Sequence, residues 1–183
     1  MRSSLERKNY SRLRRRVREL AWFVSLLALF FVLIFGFVRP VVAAPSIIQG
    51  PSMEPTLMTG DRVLVEKIGY RFGDPERGDV VLIQGESGEE DLIKRVAALP
   101  GETVSVRGDT VYVDGEPLPG ARASRDLPGF SGLRTTVPPD HVYVLGDNRD
   151  QSSDSRYFGP IPEDRIKGEA LATFWPLGRA RAL

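Results

Sequence analysis

The sequence predicts a mainly β protein: a single N-terminal transmembrane helix followed by a β-rich, barrel-like domain that carries a small insert. Three observations support this. Residues 20–38 contain no charged side chain, whereas both flanks do. Beyond them the chain breaks into short β-branched runs bounded by Gly, Pro and Asp turns. Helical periodicity is scarce in the same stretch.

The basic N-terminus comes first. Residues 1–19 hold eight basic and two acidic side chains, and residues 39–183 hold 17 basic and 22 acidic, so the overall charge of +1 averages two opposite halves. Residues 20–38 read LAWFVSLLALFFVLIFGFV. As a helix they rise about 28 Å, close to a bilayer's hydrocarbon thickness. A buried core helix would be amphipathic or shorter. A cleaved signal peptide also fits the basic start, with Val42-Ala43-Ala44 as a small-residue site. However, 19 residues exceed the usual 7–15 of a signal core, and Pro45 would follow the cut, so a retained anchor is expected. Arg2, Arg7, Lys8, Arg12, Arg14, Arg15, Arg16 and Arg18 set the N-terminus on the cytoplasmic side and residues 39–183 outside. Beside an apolar helix, the same run reads as a topology signal and a contact for anionic headgroups, not as a nucleic-acid arm.

Residues 39–45 are read as a linker and 46–183 as one outer domain. Residues 62–67, 79–84, 91–97, 103–107, 110–113, 141–145 and 169–174 are the expected strands, spaced as in antiparallel barrel-like folds. Arg107-Gly108-Asp109, the cell-adhesion tripeptide, lies between two of them and reads as a hairpin turn. Residues 115–140 are rich in Pro, Gly and Arg and read as a loop-rich excursion.

The chain has no cysteine and one histidine, His141. This excludes a disulfide framework, a cysteine nucleophile and a zinc site needing several Cys or His ligands. Three other segments carry possible chemistry. In residues 50–57 (GPSMEPTL), Pro51 and Pro55 restrict the backbone around Ser52, as a nucleophile requires, although a serine between prolines is commonly a turn residue. In residues 91–96 (DLIKRV), Lys94 shares a strand face with Leu92 and Val96. Such a lysine either snorkels to water or is buried with a lowered pKa, as a base near neutral pH needs. Residues 146–156 (GDNRDQSSDSR) are a polar loop. An EF-hand is ruled out, because Arg149 and Ser152 replace an oxygen ligand and the required glycine. Asp154 and Arg156 are spaced to form an ion pair beside a site.

Together these motifs, in this order, followed by Phe158-Gly159-Pro160-Ile161-Pro162 and Ile166-x-Gly168-x-Ala170, resemble the bacterial type I signal peptidase (leader peptidase) family over most of residues 46–175. The resemblance implies a serine–lysine protease of the bacterial cytoplasmic membrane. It would remove signal peptides from exported preproteins after an A-x-A-like motif, using a β-rich catalytic domain with a variable insert at 115–140. It makes Ser52 the nucleophile and Lys94 the general base. Ser152 would hydrogen-bond and orient the lysine amine, and Arg95, Asp154 and Arg156 would form a salt-bridged cluster, with Asp147 among the supporting residues. Met53 and Gly50 fall on the substrate side. Some members carry a serine at the position of Gly50 that helps form the oxyanion hole, so here a backbone amide or a water is expected instead. No cofactor or metal is implied. The partners implied are preprotein signal peptides, membrane phospholipid and, functionally, the secretion translocon, with no nucleic acid.

Two other readings compete. A serine–histidine hydrolase would have to use His141, yet no G-x-S-x-G elbow surrounds any serine. A catalytically silent, membrane-anchored β-domain that binds an export partner would leave Ser52 and Lys94 as ordinary surface residues. Self-cleaving serine–lysine repressors are excluded, because a membrane helix stands where their DNA-binding domain would be.

Overall fold

The computed structural model describes residues 4–33, 43–71, 73–86, 90–107, 110–122 and 132–183. The chain divides into two units, Met1–Val42 and Ala43–Leu183. In the first, helix α1 spans Ser4–Leu33, so the basic segment and the start of the apolar run form one continuous helix. Its apolar side chains, among them Trp22, Phe23, Phe30 and Phe31, are exposed. Among the described residues no helix is long and apolar enough to cross a membrane. The uncharged part of α1, residues 20–33, rises about 21 Å against roughly 30 Å of hydrocarbon. The remainder of the expected span, 34–38, and most of the expected linker lie outside the described residues.

The second unit is mainly β, as the sequence predicts. Its strands are β1 (Ala43–Ile47), β2 (Arg62–Glu66), β3 (Val80–Ile83), β4 (Leu92–Ala98), β5 (Thr103–Arg107) and β6 (Thr110–Val113). They continue with β7 (Glu116–Arg122), β8 (Arg134–Thr136), β9 (His141–Leu145), β10 (Ile161–Pro162), β11 (Ile166–Trp175) and β12 (Arg181–Ala182). A short helix, α2 (Ser155–Phe158), precedes β10. One sheet runs β1-β2-β11-β3-β4-β9-β10, with β12 on β11, and a second runs β7-β6-β5-β8. The pairings are antiparallel. The larger sheet is a curled half-barrel whose two ends, β1 and β10, stay unjoined. Register shifts along β11 and between Val96 and Ala98 of β4 bend the strands and supply the curl.

Two boundaries differ from the sequence reading, each for a physical reason. Ala43 to Pro45 belong to strand β1 and not to a linker. An edge strand tolerates Pro45 because its missing N–H can face away from the ladder. The segment 115–140 is more than a loop excursion, since it contributes β7 and β8, which pair with β6 and β5. Pro117 and Pro119 mask β7 in the sequence, but β7 too is an edge strand. The middle of that insert, 123–131, and Gly108-Asp109 of the adhesion-like turn lie outside the described residues.

Alternation puts Val63 and Val65 of β2 inward, with Arg62 and Leu64 outward. By contrast β4, central between β3 and β9, is covered on both faces, so Ile93 and Lys94 are both buried. A core cluster of Ile48, Met53, Leu57, Val63, Val65, Val80, Ile93 and Ala170 lies beneath the segment that follows β1. That segment and β4 position the site.

Candidate active site

The three motif segments converge. Residues 50–60 form no strand; they fold as successive turns, with Glu54 N donating to Pro51 O (3.0 Å) and Leu57 N to Met53 O (2.9 Å). Their base is closed by Ile48 N to Asp61 O and Gly60 N to Ile48 O, each 2.9 Å. This turn points Met53 and Leu57 into the core and leaves Ser52 at its tip, half-buried. Met53, expected on the substrate side, is fully buried in that core and does not line the cleft beside Ser52. Gly50 has φ of +80°, the left-handed region that glycine enters without strain, and it faces open space.

Lys94 reaches this tip from β4. Its Nζ lies 2.9 Å from Ser52 Oγ and donates to Ile93 O at 3.0 Å. Only 3% of the residue is exposed. Burial pushes the ammonium pKa down, and the charge of Asp154 offsets part of that shift. The amine is thus biased toward its neutral form, in hydrogen-bond reach of a hydroxyl. A nucleophile and its base need that arrangement.

The loop after β9 closes the site from behind. Asn148 N donates to Ser52 O at 3.0 Å. A Cβ built on Gly146 would fall 2.5 Å from Ser52 O and 2.2 Å from Ser152 Oγ, so only glycine lets the loop approach the serine turn. The sequence reading missed this role. Its only signal was a glycine placed directly after the buried strand β9. Ser152 is buried beside Gly146, but its Oγ has no hydrogen-bond partner among the described residues, so the expected bond to the Lys94 amine is not formed.

The ionic cluster resolves into two pairs. Arg95 donates through Nε and Nη2 to both oxygens of Asp147, at 2.9 and 2.8 Å, and through Nη1 to Gly78 O. Among the described residues Asp154 pairs with Arg156 alone, Nε to Oδ1 at 2.8 Å and Nη2 to Oδ2 at 3.0 Å, and both side chains are completely buried. Arg95 therefore belongs with Asp147 and not with Asp154, because Lys94 and Arg95 leave β4 on opposite faces. Asp154 also accepts from Gly146 N at 3.0 Å and caps α2 by accepting from Arg156 N. Burial would raise the pKa of Asp147, but its bonds to Arg95 and Thr56 and the charges of Arg95 and Arg149 together hold it below the usual value.

A cleft of about 320 Å³ opens beside the dyad, lined on one wall by Ser46 to Gln49 and on the other by Glu90 to Lys94, with Ser52 and Leu82. Each wall includes part of a strand edge, Ser46 and Ile47 of β1 and Leu92 to Lys94 of β4. Among the described residues β4 pairs with β9 only from Arg95 onward, which leaves Leu92 to Lys94 unpaired on that side, and β1 ends its sheet. His141 is at the far end of β9, roughly 13 Å along the strand from Leu145, with Nδ1 bound to Pro139 O at 2.8 Å. Among the described residues no group of His, Cys, Asp or Glu side chains is arranged to hold a metal ion.

Comparison with known proteins gives one family. Residues 20–175 match the family model described as signal peptidase, peptidase S26. Signal peptidase I of Leptolyngbya laminosa is 40% identical over 164 residues, which cover 85% of this chain and 80% of that protein. Signal peptidase IB of Staphylococcus aureus (strain N315) is 38% identical over 174 residues, covering 86% of this chain and 90% of that protein. A crystal structure of a signal peptidase I from Enterococcus faecalis V583 is 31% identical, with a TM-score of 0.44, over 53% of this chain and 97% of that one.

Proposed function

The chain belongs to the peptidase S26 family of signal peptidases, which makes it a serine endopeptidase, and from that premise we propose that it cleaves preprotein signal peptides through a Ser52–Lys94 dyad. The observation that carries this reading is the 2.9 Å separation of the Lys94 amine from the Ser52 hydroxyl, with the lysine buried. The neutral amine takes the Ser52 proton as Oγ attacks the scissile carbonyl. Collapse of the tetrahedral intermediate returns that proton to the departing amine and leaves an acyl-enzyme. Lys94 then deprotonates a water that hydrolyses the ester. The Ser52 amide is the first oxyanion donor. Gly50 offers no side-chain donor, so the second is a backbone amide or a water in the open space beside it.

The strand edges that flank the cleft, Ser46 and Ile47 on one side and Leu92 to Lys94 on the other, support an extended substrate that adds its backbone to them. The substrate this reading assigns to the cleft is an A-x-A-like junction. Residues 20–38 then act as a single-pass anchor in the bacterial cytoplasmic membrane, with the N-terminus inside and the catalytic domain on the outer face. Exposed Ile47, Leu64, Leu171, Phe174, Trp175 and Leu177, on neighbouring strands β1, β2 and β11 and the turn that follows, support a contact with phospholipid. This role links the enzyme functionally to the secretion translocon.

The test is incubation of the detergent-solubilised protein with a preprotein bearing an A-x-A junction, with products sized by mass spectrometry. Cleavage after the last alanine, lost in Ser52→Ala and in Lys94→Ala, is the expected result. An inert wild-type protein would instead favour a silent, membrane-anchored β-domain that binds an export partner.

A further inference from the structure

We propose that the C-terminal tail braces the turn that presents Ser52, with Arg181 and Arg179 as positioning residues; this rests on the reading of Ser52 as nucleophile. Residues 50–60 belong to no strand, so external contacts must hold the tip of the turn in place. The loop after β9 grips it from one side, through Asn148 N on Ser52 O. The tail grips it from another. Arg181 Nη2 donates to Thr56 O at 2.7 Å. Arg179 donates through Nε, at 3.0 Å, and Nη2 to Oδ1 of Asp61, whose Oδ2 accepts from Met58 N at 2.9 Å.

Asp61 is 1% exposed, and a carboxylate so buried requires a paired charge. Arg179 supplies it from 118 residues away, at the point where the turn rejoins β2. The tail is itself fixed. β12 pairs with β11 at Ala172 and Thr173, Leu183 N donates to Leu171 O at 3.0 Å, and Leu183 packs on the cluster that contains Met53 and Leu57. Thr56 is the junction of the two grips, because its carbonyl accepts from Arg181 while its side chain bonds Asp147 of the opposing loop. The match to the family model ends at residue 175, before these arginines. Their function in this geometry is to hold Ser52 within reach of Lys94.

Cleavage of an A-x-A preprotein by the full chain in detergent, alongside amide hydrogen exchange over residues 53–61, tests this. Arg181 is exposed and its loss leaves no buried charge, so Arg181→Ala should fold normally. It should lower kcat about tenfold at unchanged KM, since small displacements of a reacting group are costly. Exchange in the turn should quicken. The pH midpoint should not move, because Lys94 is untouched, and Arg181→Lys should recover most of the rate, its ammonium still able to donate to the Thr56 carbonyl. Arg179→Ala strands the Asp61 charge and can unfold the protein, so the Asp61→Asn/Arg179→Ala double variant is used instead; it should fold and still show reduced kcat. Wild-type kcat and wild-type exchange in both Arg181→Ala and the double variant overturn the brace. Activity surviving in Ser52→Ala overturns the nucleophile reading, and the positioning role with it. That result is distinct from a dead Ser52→Ala beside a normal Arg181→Ala.

Discussion

Lys94 Nζ lies 2.9 Å from Ser52 Oγ across 42 residues of sequence, with the lysine 3% exposed and its pKa pushed down by burial. The pairing sets a pH requirement. Only the neutral amine can accept the serine proton, so the cleavage rate should climb with pH through an apparent pKa below the ordinary lysine value of about 10.4. Lys94→Ala should lose all measurable cleavage. Lys94→Arg should lose it equally, because a guanidinium stays protonated. His141→Ala should keep nearly full activity, its imidazole being bound to Pro139 O at the other end of β9. A rate profile to pH ~10 for the four proteins settles the base. Loss of activity in the histidine variant, with a working lysine variant, would refute the dyad.

The β character of the outer unit and the segments of the candidate site were legible because both depend on local pattern. Val63 and Val65 alternate with polar or exposed neighbours, so β2 reads directly from the sequence, and three motif segments announced Ser52, Lys94 and the loop from Gly146 to Arg156. The missing parts depend on neighbours far along the chain. Proline concealed β1 and β7, which only their edge positions permit. Which carboxylate meets Arg95 is decided by the face of β4 from which Arg95 projects, and no spacing rule within residues 146–156 encodes that. A Cβ at Gly146 would meet Ser52 O, and Arg181 donates to Thr56 O; a sequence marks neither backbone group.

Buried Lys94 should also cost stability, with a definite sign. Its folded-state pKa lies below its unfolded value of about 10.5, so the unfolded chain binds more protons between the two. The wild-type protein therefore gains stability as pH rises through that window. Lys94→Met, which fills similar volume without charge, should be the more stable protein near pH 6, by about 0.5–2 kcal/mol, as is common when a functional residue is replaced. The advantage should shrink toward pH ~10. Urea melts at the two pH values measure it, and an advantage that stayed constant or grew with pH would contradict a depressed lysine pKa.

Gly146→Ala should uncouple folding from activity. The new Cβ would meet Ser52 O at 2.5 Å and the Ser152 hydroxyl at 2.2 Å, so the loop or the serine turn must shift. Overpacking of this kind costs about 1–3 kcal/mol, which a domain of this size survives. The displaced Ser52, however, should lower kcat by roughly 10²-fold. Circular dichroism establishes the folded state and a cleavage assay the rate. A folded variant with wild-type kcat would show that the close approach of Gly146 to the serine turn has no part in catalysis.

The two ion pairs behind the dyad should respond differently to neutralisation, because their burial differs. Asp154 and Arg156 have no exposed side-chain surface, so Asp154→Asn leaves an uncompensated guanidinium in the interior and weakens the acceptor for Gly146 N. Removing one partner of such a pair costs about 3–5 kcal/mol. Asp147 and Arg95 keep 15% and 31% exposure, and the amide oxygen introduced by Asp147→Asn would still accept one of the two Arg95 donors. Solvent screening should hold the loss in Asp147→Asn to about 1–2 kcal/mol. The loss in Asp147→Asn also fades with acid. The Asp147 pKa is lowered on folding, so its contribution is complete above the unfolded carboxylate value of about 3.9 and disappears as pH falls through the lower folded value. Asp147→Asn and wild type should therefore differ in urea midpoint at neutral pH and converge in strong acid. Equal losses for the two variants at neutral pH would mean that burial does not set the strength of these pairs.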